Sequence, residues 1–185
     1  MNKIKLSICV LSIFSRADHL QNLLRLLYSQ PKELLNQCEI LLNIDDRTRT
    51  IGEKRNELLQ SVKGDYVTFI DDDDDITPEY LQEVFIGINQ GVDAIGITGI
   101  YAPITALHKP FKCSKDYKWE ERPDAYYRSI QHICPIRTEI AKSVQYPEIN
   151  FGEDKGYSDR INSLVKSDYV SIITIYIYKY IDKKW

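Results

Sequence analysis

Cysteine is scarce in this 185-residue sequence, and the four that occur, Cys9, Cys38, Cys113 and Cys134, form no C-x-x-C pair. That spacing excludes the common zinc and dithiol redox motifs. Cys9 and Cys38 fall inside apolar runs, where a free thiol behaves as a small hydrophobe. The expectation is buried, reduced thiols in a reducing, cytoplasmic setting. Blocks of basic residues are also missing: 24 Lys and Arg stand against 27 Asp and Glu, a formal net charge of -3. No bulk counterion-release drive toward nucleic acid follows from that balance. Long hydrophobic stretches are absent too. The apolar run 6–14 has a basic start but no small-residue cleavage site, and the apolar tail 170–181 is broken by Ser171, Thr174 and Lys179. Neither reads as a secretory leader or a bilayer span. No integral membrane segment, repeat, low-complexity tract or linker is expected.

What is present is an ordinary globular composition, 43% hydrophobic and 28% charged. The length suits one domain, 1–185, with halves at about 1–98 and 99–185. In the first half, strand and helix patterns alternate. Residues 6–14 and 39–44 are apolar runs of the kind buried on both faces of a parallel sheet. Between them, Leu20, Leu23, Leu24 and Leu27 recur at helical spacing, with Asp18 as the expected cap. Thr50 and Glu53 have the capping-box spacing ahead of a helix carrying Arg55, Leu58, Leu59 and Val62. Residues 66–70 make a third strand, Thr77 and Pro78 a helix start before Leu81, Val84, Phe85 and Ile88, and residues 92–98 a fourth strand. This order predicts an α/β fold, a mainly parallel central sheet flanked by helices. The second half is less regular. Strands are expected at 128–134 and 169–178, a short helix at 138–144, and a loop at 150–154 before a helix carrying Ile161, Leu164 and Val165.

In such sheets ligands bind beyond the carboxyl ends of the strands. Three polar clusters fall there: Ser15 with Arg16, Asp45 with Asp46, and the five consecutive aspartates 71–75. Adjacent carboxylates repel, and a bound cation would turn that repulsion into binding. As a calcium loop the run fails, because Ile76 and Gln82 stand where an EF-hand needs Gly and Glu. Asp73, Asp75 and Thr77 also fit the D-x-D-x-T signature of haloacid-dehalogenase-like phosphatases, although on a third rather than a first strand. That reading stays open as an alternative.

A third reading rests on several features in order. Gly52-Glu53-Lys54-Arg55-Asn56, then Gly64-Asp65-Tyr66 leading into Asp71-Asp72-Asp73-Asp74, then Thr77-Pro78, and later Phe151-Gly152-Glu153-Asp154 with Arg160, resemble family 2 glycosyltransferases over about residues 5–166. The resemblance implies a single-domain GT-A-type fold and an inverting, metal-dependent transfer of a sugar from a nucleotide-diphosphate donor, with UDP expected, to a hydroxyl acceptor such as a glycan. It implies Mn²⁺ or Mg²⁺ at Asp73 and Asp74, within the D-x-D. The donor would be met by Ser15, Arg16, Asp45 (or Asp46 by a one-residue shift), Arg55, Asp71 and Asp72, with Asn56 bracing a loop. Asp154 would be the general base, with Glu153 the neighbouring candidate.

His132 and Trp119 are possible substrate contacts, and Tyr126 and Tyr127 are rings able to stack on a sugar or pack in the core. His19 and His108 carry no signal. A pyrophosphorylase is disfavoured by the lack of an N-terminal Gly-rich, Arg-containing loop. A non-catalytic sugar-nucleotide binder is the other alternative. The chain is short for this family, which implies either a minimal catalytic domain or a piece of a longer protein.

Overall fold

The computed structural model describes residues 3–104 and 106–179; the end of the apolar tail anticipated at 170–181 lies outside them. Among the described residues two six-stranded sheets are layered with six α-helices. The apolar runs explain the first sheet. Strand β1 (Leu6–Ile13) is buried along its whole length and pairs in parallel with β2 (Cys38–Asp45) and β3 (Tyr66–Phe69). A strand so placed touches helices on both faces, so every side chain can be apolar.

Beyond β3 the sheet continues through β10 (Ile136–Arg137), which runs antiparallel, then β5 (Ala94–Gly96) and β11 (Asp168–Val170). The sheet is thus mainly parallel with one reversed strand. Around it lie α1 (Ala17–Tyr28), α2 (Lys32–Leu35), α3 (Ile51–Ser61), α4 (Tyr80–Gln90), α5 (Thr138–Lys142) and α6 (Glu153–Ile161). Leu20, Leu23 and Leu27 of α1 and Leu81, Val84 and Ile88 of α4 enter the core at helical spacing, as the periodicity requires.

Sequence reasoning did not anticipate the second sheet. It is ordered β4 (Asp75–Ile76), β12 (Tyr176–Tyr178), β6 (Thr98–Tyr101), β7 (Lys109–Cys113), β9 (Tyr126–Arg128) and β8 (Glu120–Glu121). Two chain segments pass from one sheet to the other. The first crosses between β5 and β6 at the fully buried Ile97, and the second between β11 and β12 at Ser171. The two crossings are stitched together: the Thr98 amide donates to Ser171 Oγ at 2.7 Å and the Thr98 hydroxyl to the Ser171 carbonyl at 2.7 Å. Residues 169–178 therefore form two strands in different sheets, and residues 92–98 likewise divide, where single strands were expected.

Other local expectations also change. Residues 129–135 form a turn, not a strand, with the Cys134 amide bonded to the Gln131 carbonyl. Asp18 lies in the first turn of α1 and does not cap it, because a 3₁₀ turn, Phe14–Arg16, leads the chain in. Pro78 precedes α4 in a turn. Gln30 does the capping from a distance, donating to the Thr77 carbonyl at 3.0 Å and accepting from the Leu81 amide at 3.1 Å. The capping box of α3 is present as its spacing predicts. The edge strand β2 leaves Leu42 and Ile44 exposed, so only one of its faces is covered.

Candidate active site

The five aspartates lie where β3 ends, and a tight turn sends them in different directions. The Asp74 amide donates to the Asp71 carbonyl at 3.1 Å, closing a four-residue turn. Asp72 and Asp73 are both buried. One Arg16 nitrogen, Nη2, lies 2.6 Å from a carboxylate oxygen of each. Ser12 at the end of β1 donates to the other oxygen of Asp72 at 2.6 Å. Burial pushes the Asp72 carboxyl up, while the Ser12 bond and the Arg16 charge pull it back.

Asp74 points the other way. Its oxygens accept from the Tyr176 hydroxyl at 2.7 Å and the Lys179 amide at 2.9 Å, and only 1% of the residue is exposed. Burial, then the charges of Asp71 and Asp73, drive its carboxyl well above the usual carboxylate range. The expectation of Asp74 as a second metal ligand meets this arrangement: a buried carboxyl holding β12 in place has little left to offer an ion. Asp75 bonds Asn22 at 2.9 Å and pairs with the Lys179 ammonium at 2.5 Å.

Asp71 faces a second cluster. Arg55 of α3 donates to it at 3.1 Å, and the His132 ring lies 3.5 Å away. His132 reaches that place because its turn is sewn to β3: the Phe69 amide donates to the His132 carbonyl and Thr68 to the Ile133 carbonyl. The Arg55 side chain is buried, stacked over the Phe69 ring at 5.0 Å and the Tyr146 ring at 5.6 Å, with Nε 3.6 Å from Glu153. Its Nε and Nη1 and both His132 ring nitrogens lack a hydrogen-bond partner among the described residues. Arg55 was expected to meet the donor directly. In the structure it is a strut joining Asp71 to Glu153, and burial lowers its pKa while those carboxylates more than offset that effect and raise it.

The strut works because α3 sits hard against the segment leading to α6. A side chain at Gly52 would collide with the Pro147 carbonyl at 1.8 Å. Asn56 braces that segment through a reciprocal pair with Tyr146, donating at 3.0 Å and accepting at 2.7 Å. Glu153 and Asp154 open α6, where a carboxylate is favoured by the helix dipole. They differ in access: Glu153 is buried, its carboxyl pushed up by burial against Arg55 and His132, while Asp154 is half-exposed.

Asp45, at the end of β2, is also occupied. It accepts from Lys54 at 2.8 Å and from the amides of Arg47 and Arg49 at 3.2 and 3.3 Å. Burial raises its carboxyl, but these bonds outweigh burial and hold it below the usual range. Asp46 and Ser15 are exposed at the rim. Trp119 does not present an open ring. Its Nε1 donates to Ser158 at 3.3 Å and the Arg128 guanidinium covers one face at 4.9 Å. Tyr127 is buried and bonded to Asp124, whereas Tyr126 is half-exposed.

Sequence reasoning missed Lys54, which is buried and bridges Asp45 to the Ser12 carbonyl at 3.1 Å. It also missed Ser12, Tyr176 and Lys179. A lysine on the inward face of α3 was a usable signal; the others had none, since their partners are 60 to 105 residues away.

The arrangement resembles solved structures. The S. aureus TarS 1-349 crystal structure in complex with UDP-GlcNAc aligns with a TM-score of 0.74 at 18% identity, over 98% of this chain and 60% of that one. S. aureus TarS itself aligns at 0.69 and 17%, covering 96% and 37%. A197 from STIV aligns at 0.55 and 16%, covering 94% and 83%. The chain thus spans about 60% of the length of TarS 1-349, and identities this low speak for the fold alone. No curated protein sequence matches. The description of Glycosyl transferase family 2 matches residues 14–144, which take in the Arg16 turn, the capped helix with Arg55, the aspartate run and His132. With that match over most of its length and a GT-A-type α/β fold beneath it, the chain belongs to glycosyl transferase family 2.

Proposed function

We propose that this protein transfers a sugar, with inversion, from a nucleoside-diphosphate donor, UDP being the expected one, to a hydroxyl of a glycan or similar acceptor. The observation that carries the reading is a pair of carboxylates of unlike access, linked to the aspartate turn at the strand ends. Buried Glu153 is tied through Arg55 to Asp71, and half-exposed Asp154 stands beside it. Asp154 is the carboxylate of that pair that solvent and an acceptor can reach. In this reading it accepts the proton of the attacking hydroxyl as the new bond to the anomeric carbon forms and the nucleoside diphosphate departs. TarS, of the same fold, has been solved in complex with UDP-GlcNAc, which supports the donor class.

In this reading a divalent cation rests on few protein carboxylates, since no three metal-ligating side chains come together among the described residues. An open site suits Mg²⁺ or Mn²⁺, which keep waters and take substrate phosphates as ligands beside one or two carboxylates. Asp73 would hold it, with Asp71 toward the ribose or sugar. The Arg16 guanidinium, bridging Asp72 and Asp73, already marks the place as one that draws positive charge. When bound, such an ion neutralises charge on the departing diphosphate. Asp74 keeps β12 against the loop, and Asp45 with Lys54 shapes the wall beside it.

Thermal-shift measurements against UDP-, GDP-, dTDP- and CMP-sugars, each with Mn²⁺ or EDTA, test this. A metal-dependent rise with one nucleotide supports it. No rise with any of them, but a response to phosphorylated small molecules with Mg²⁺, would favour phosphatase chemistry instead. Asp154→Asn should keep the donor shift yet lose transfer by orders of magnitude. Donor binding without turnover on any acceptor would leave a binding domain.

A further inference from the structure

The face of the second sheet nearest the aspartate turn is aromatic, and strand register shows why. Tyr176 of β12 lies opposite Gly99 of β6, Gly99 opposite Phe111 of β7, and Phe111 opposite Tyr126 of β9. Two residues along, on the same face, Tyr178 lies opposite Tyr101 and Tyr101 opposite Lys109. The first row is core: Tyr176 and Phe111 are buried and meet edge to face at 6.2 Å. Gly99 makes room between them, since a Cβ there would lie 2.3 Å from the Phe111 ring.

The second row emerges. Tyr178 and Tyr101 are half-exposed, and so is Tyr126, the outer end of the first row, whose ring reaches across to Tyr101. Tyr178 stacks on Tyr101 at 5.6 Å with the planes 19° apart, and Tyr101 meets Tyr126 edge to face at 5.5 Å. Cations flank the row. Lys109 sits 4.5 Å from the Tyr126 ring, and Arg128 lies between Tyr126 at 5.2 Å and Trp119 at 4.9 Å.

One end of this row is anchored beside the aspartates. Asp74 accepts from Tyr176 and from the Lys179 amide, the residues on either side of Ile177 and Tyr178. The Tyr178 hydroxyl lies within the field of Asp71, Asp74, Asp73 and Asp154, and burial together with those charges holds it protonated. With centroids 5.6 and 5.5 Å apart in turn, the three rings span at most about 11 Å centre to centre. That length suits two or three linked units better than one. The partly exposed rings offer apolar carbon surface, tyrosine hydroxyls and the cations offer hydrogen bonds beside it, and this combination matches a sugar chain, whose units have apolar faces and hydroxyl rims.

We propose that the row Tyr178, Tyr101 and Tyr126, with Lys109 and Arg128, is the acceptor platform, that its occupant is a saccharide chain, and that Tyr101 and Tyr126 set which chain is used. This rests on the transferase reading above, and it makes the acceptor an extended oligosaccharide whose reactive end lies by Tyr178.

The test is titration of the full chain with maltotriose, cellotriose, chitotriose and xylotriose, followed by saturation-transfer NMR, with the donor thermal shift measured in parallel. At least one trisaccharide should bind the wild-type protein. Tyr101→Leu and Tyr126→Leu should each weaken that binding at least fivefold, and Tyr101→Phe and Tyr126→Phe, which keep the ring, should restore most of it. Binding of none of the four by wild-type protein overturns the platform, as does unchanged affinity in folded leucine variants. A wild-type protein that binds a trisaccharide through these rings but gives no donor shift would retain the platform and refute the transferase reading.

Discussion

Replacing Arg55 by leucine tests the central strut directly. The substitution keeps an apolar stem between the Phe69 and Tyr146 rings but removes the charge shared by Asp71 and Glu153. Removing one partner of a buried ion pair costs about 3–5 kcal/mol, because the remaining charge stays buried. Two features move this case to the lower end. Asp71 has a side chain 27% exposed and can recruit water. Glu153, already raised by burial, can escape by taking a proton. A loss of about 3 kcal/mol is expected, read as a lower urea midpoint with an unchanged slope at pH 7.

The pH dependence has a definite sign. Without Arg55 the folded-state pKa of Glu153 rises further above its unfolded value, so the folded variant gains protons as pH falls. Its deficit against wild type should shrink from pH 7 toward pH 5. Glu153→Gln in the Arg55→Leu background removes the stranded charge and should recover at least half of the loss. A deficit below about 1 kcal/mol, or a double variant no more stable than the single, would refute the strut.

Thr50→Ala breaks the capping box of α3 and should cost about 1 kcal/mol by urea denaturation, as loss of a threonine cap does. Gly99→Ala forces a methyl against Phe111 and should lower stability by about 2 kcal/mol; an unchanged melting temperature would show that the two sheet rows pack less tightly than described. Asp45 is held below the usual carboxylate range, so its contribution is present above about pH 4 and is lost as pH falls through its folded value. Asp45→Asn should therefore flatten the acid limb of melting temperature against pH below about 4, and an unaltered limb would show that Lys54 does not matter there. Arg16→Gln removes the cation that bridges Asp72 and Asp73, and Mn²⁺ binding without nucleotide, followed by paramagnetic resonance, should tighten severalfold. Unchanged or weaker binding would take the ion away from Asp73.

The parallel core was legible because it is local. β1 is a run of apolar residues long enough to need cover on both faces, and the helices after it carry leucines at helical spacing. The capping box at Thr50 is likewise a three-residue relation. The second sheet was illegible for the opposite reason. β4 and β8 have two residues each, too few for any periodic pattern, and β4 exists only because β12, distant in sequence, supplies its hydrogen bonds. The run 169–178 has the composition of one strand, and nothing within it shows that Ser171 will bond Thr98 and turn the chain into another sheet.

The same division applies to the site. Residue type and order pointed to the run 71–75, because five adjacent carboxylates at the end of an apolar strand are chemically conspicuous, while Glu153 and Asp154 were pointed to by the family resemblance. They could not show how the five would separate. One backbone bond, from the Asp74 amide to the Asp71 carbonyl, divides the run into Asp72 and Asp73 on Arg16, Asp71 on Arg55, and Asp74 inward on β12. Asp75 turns to Asn22 and the Lys179 ammonium, and each partner comes from a different part of the chain, so five equivalent side chains acquire four environments only once the fold has closed. Charge that would repel in an isolated loop is therefore shared among Arg16, Arg55 and Lys179, and the folding of β12 is tied to the loop through Asp74. A change at Tyr176, buried and with no reach to substrate, should then alter the loop as much as the sheet, because one hydroxyl belongs to both.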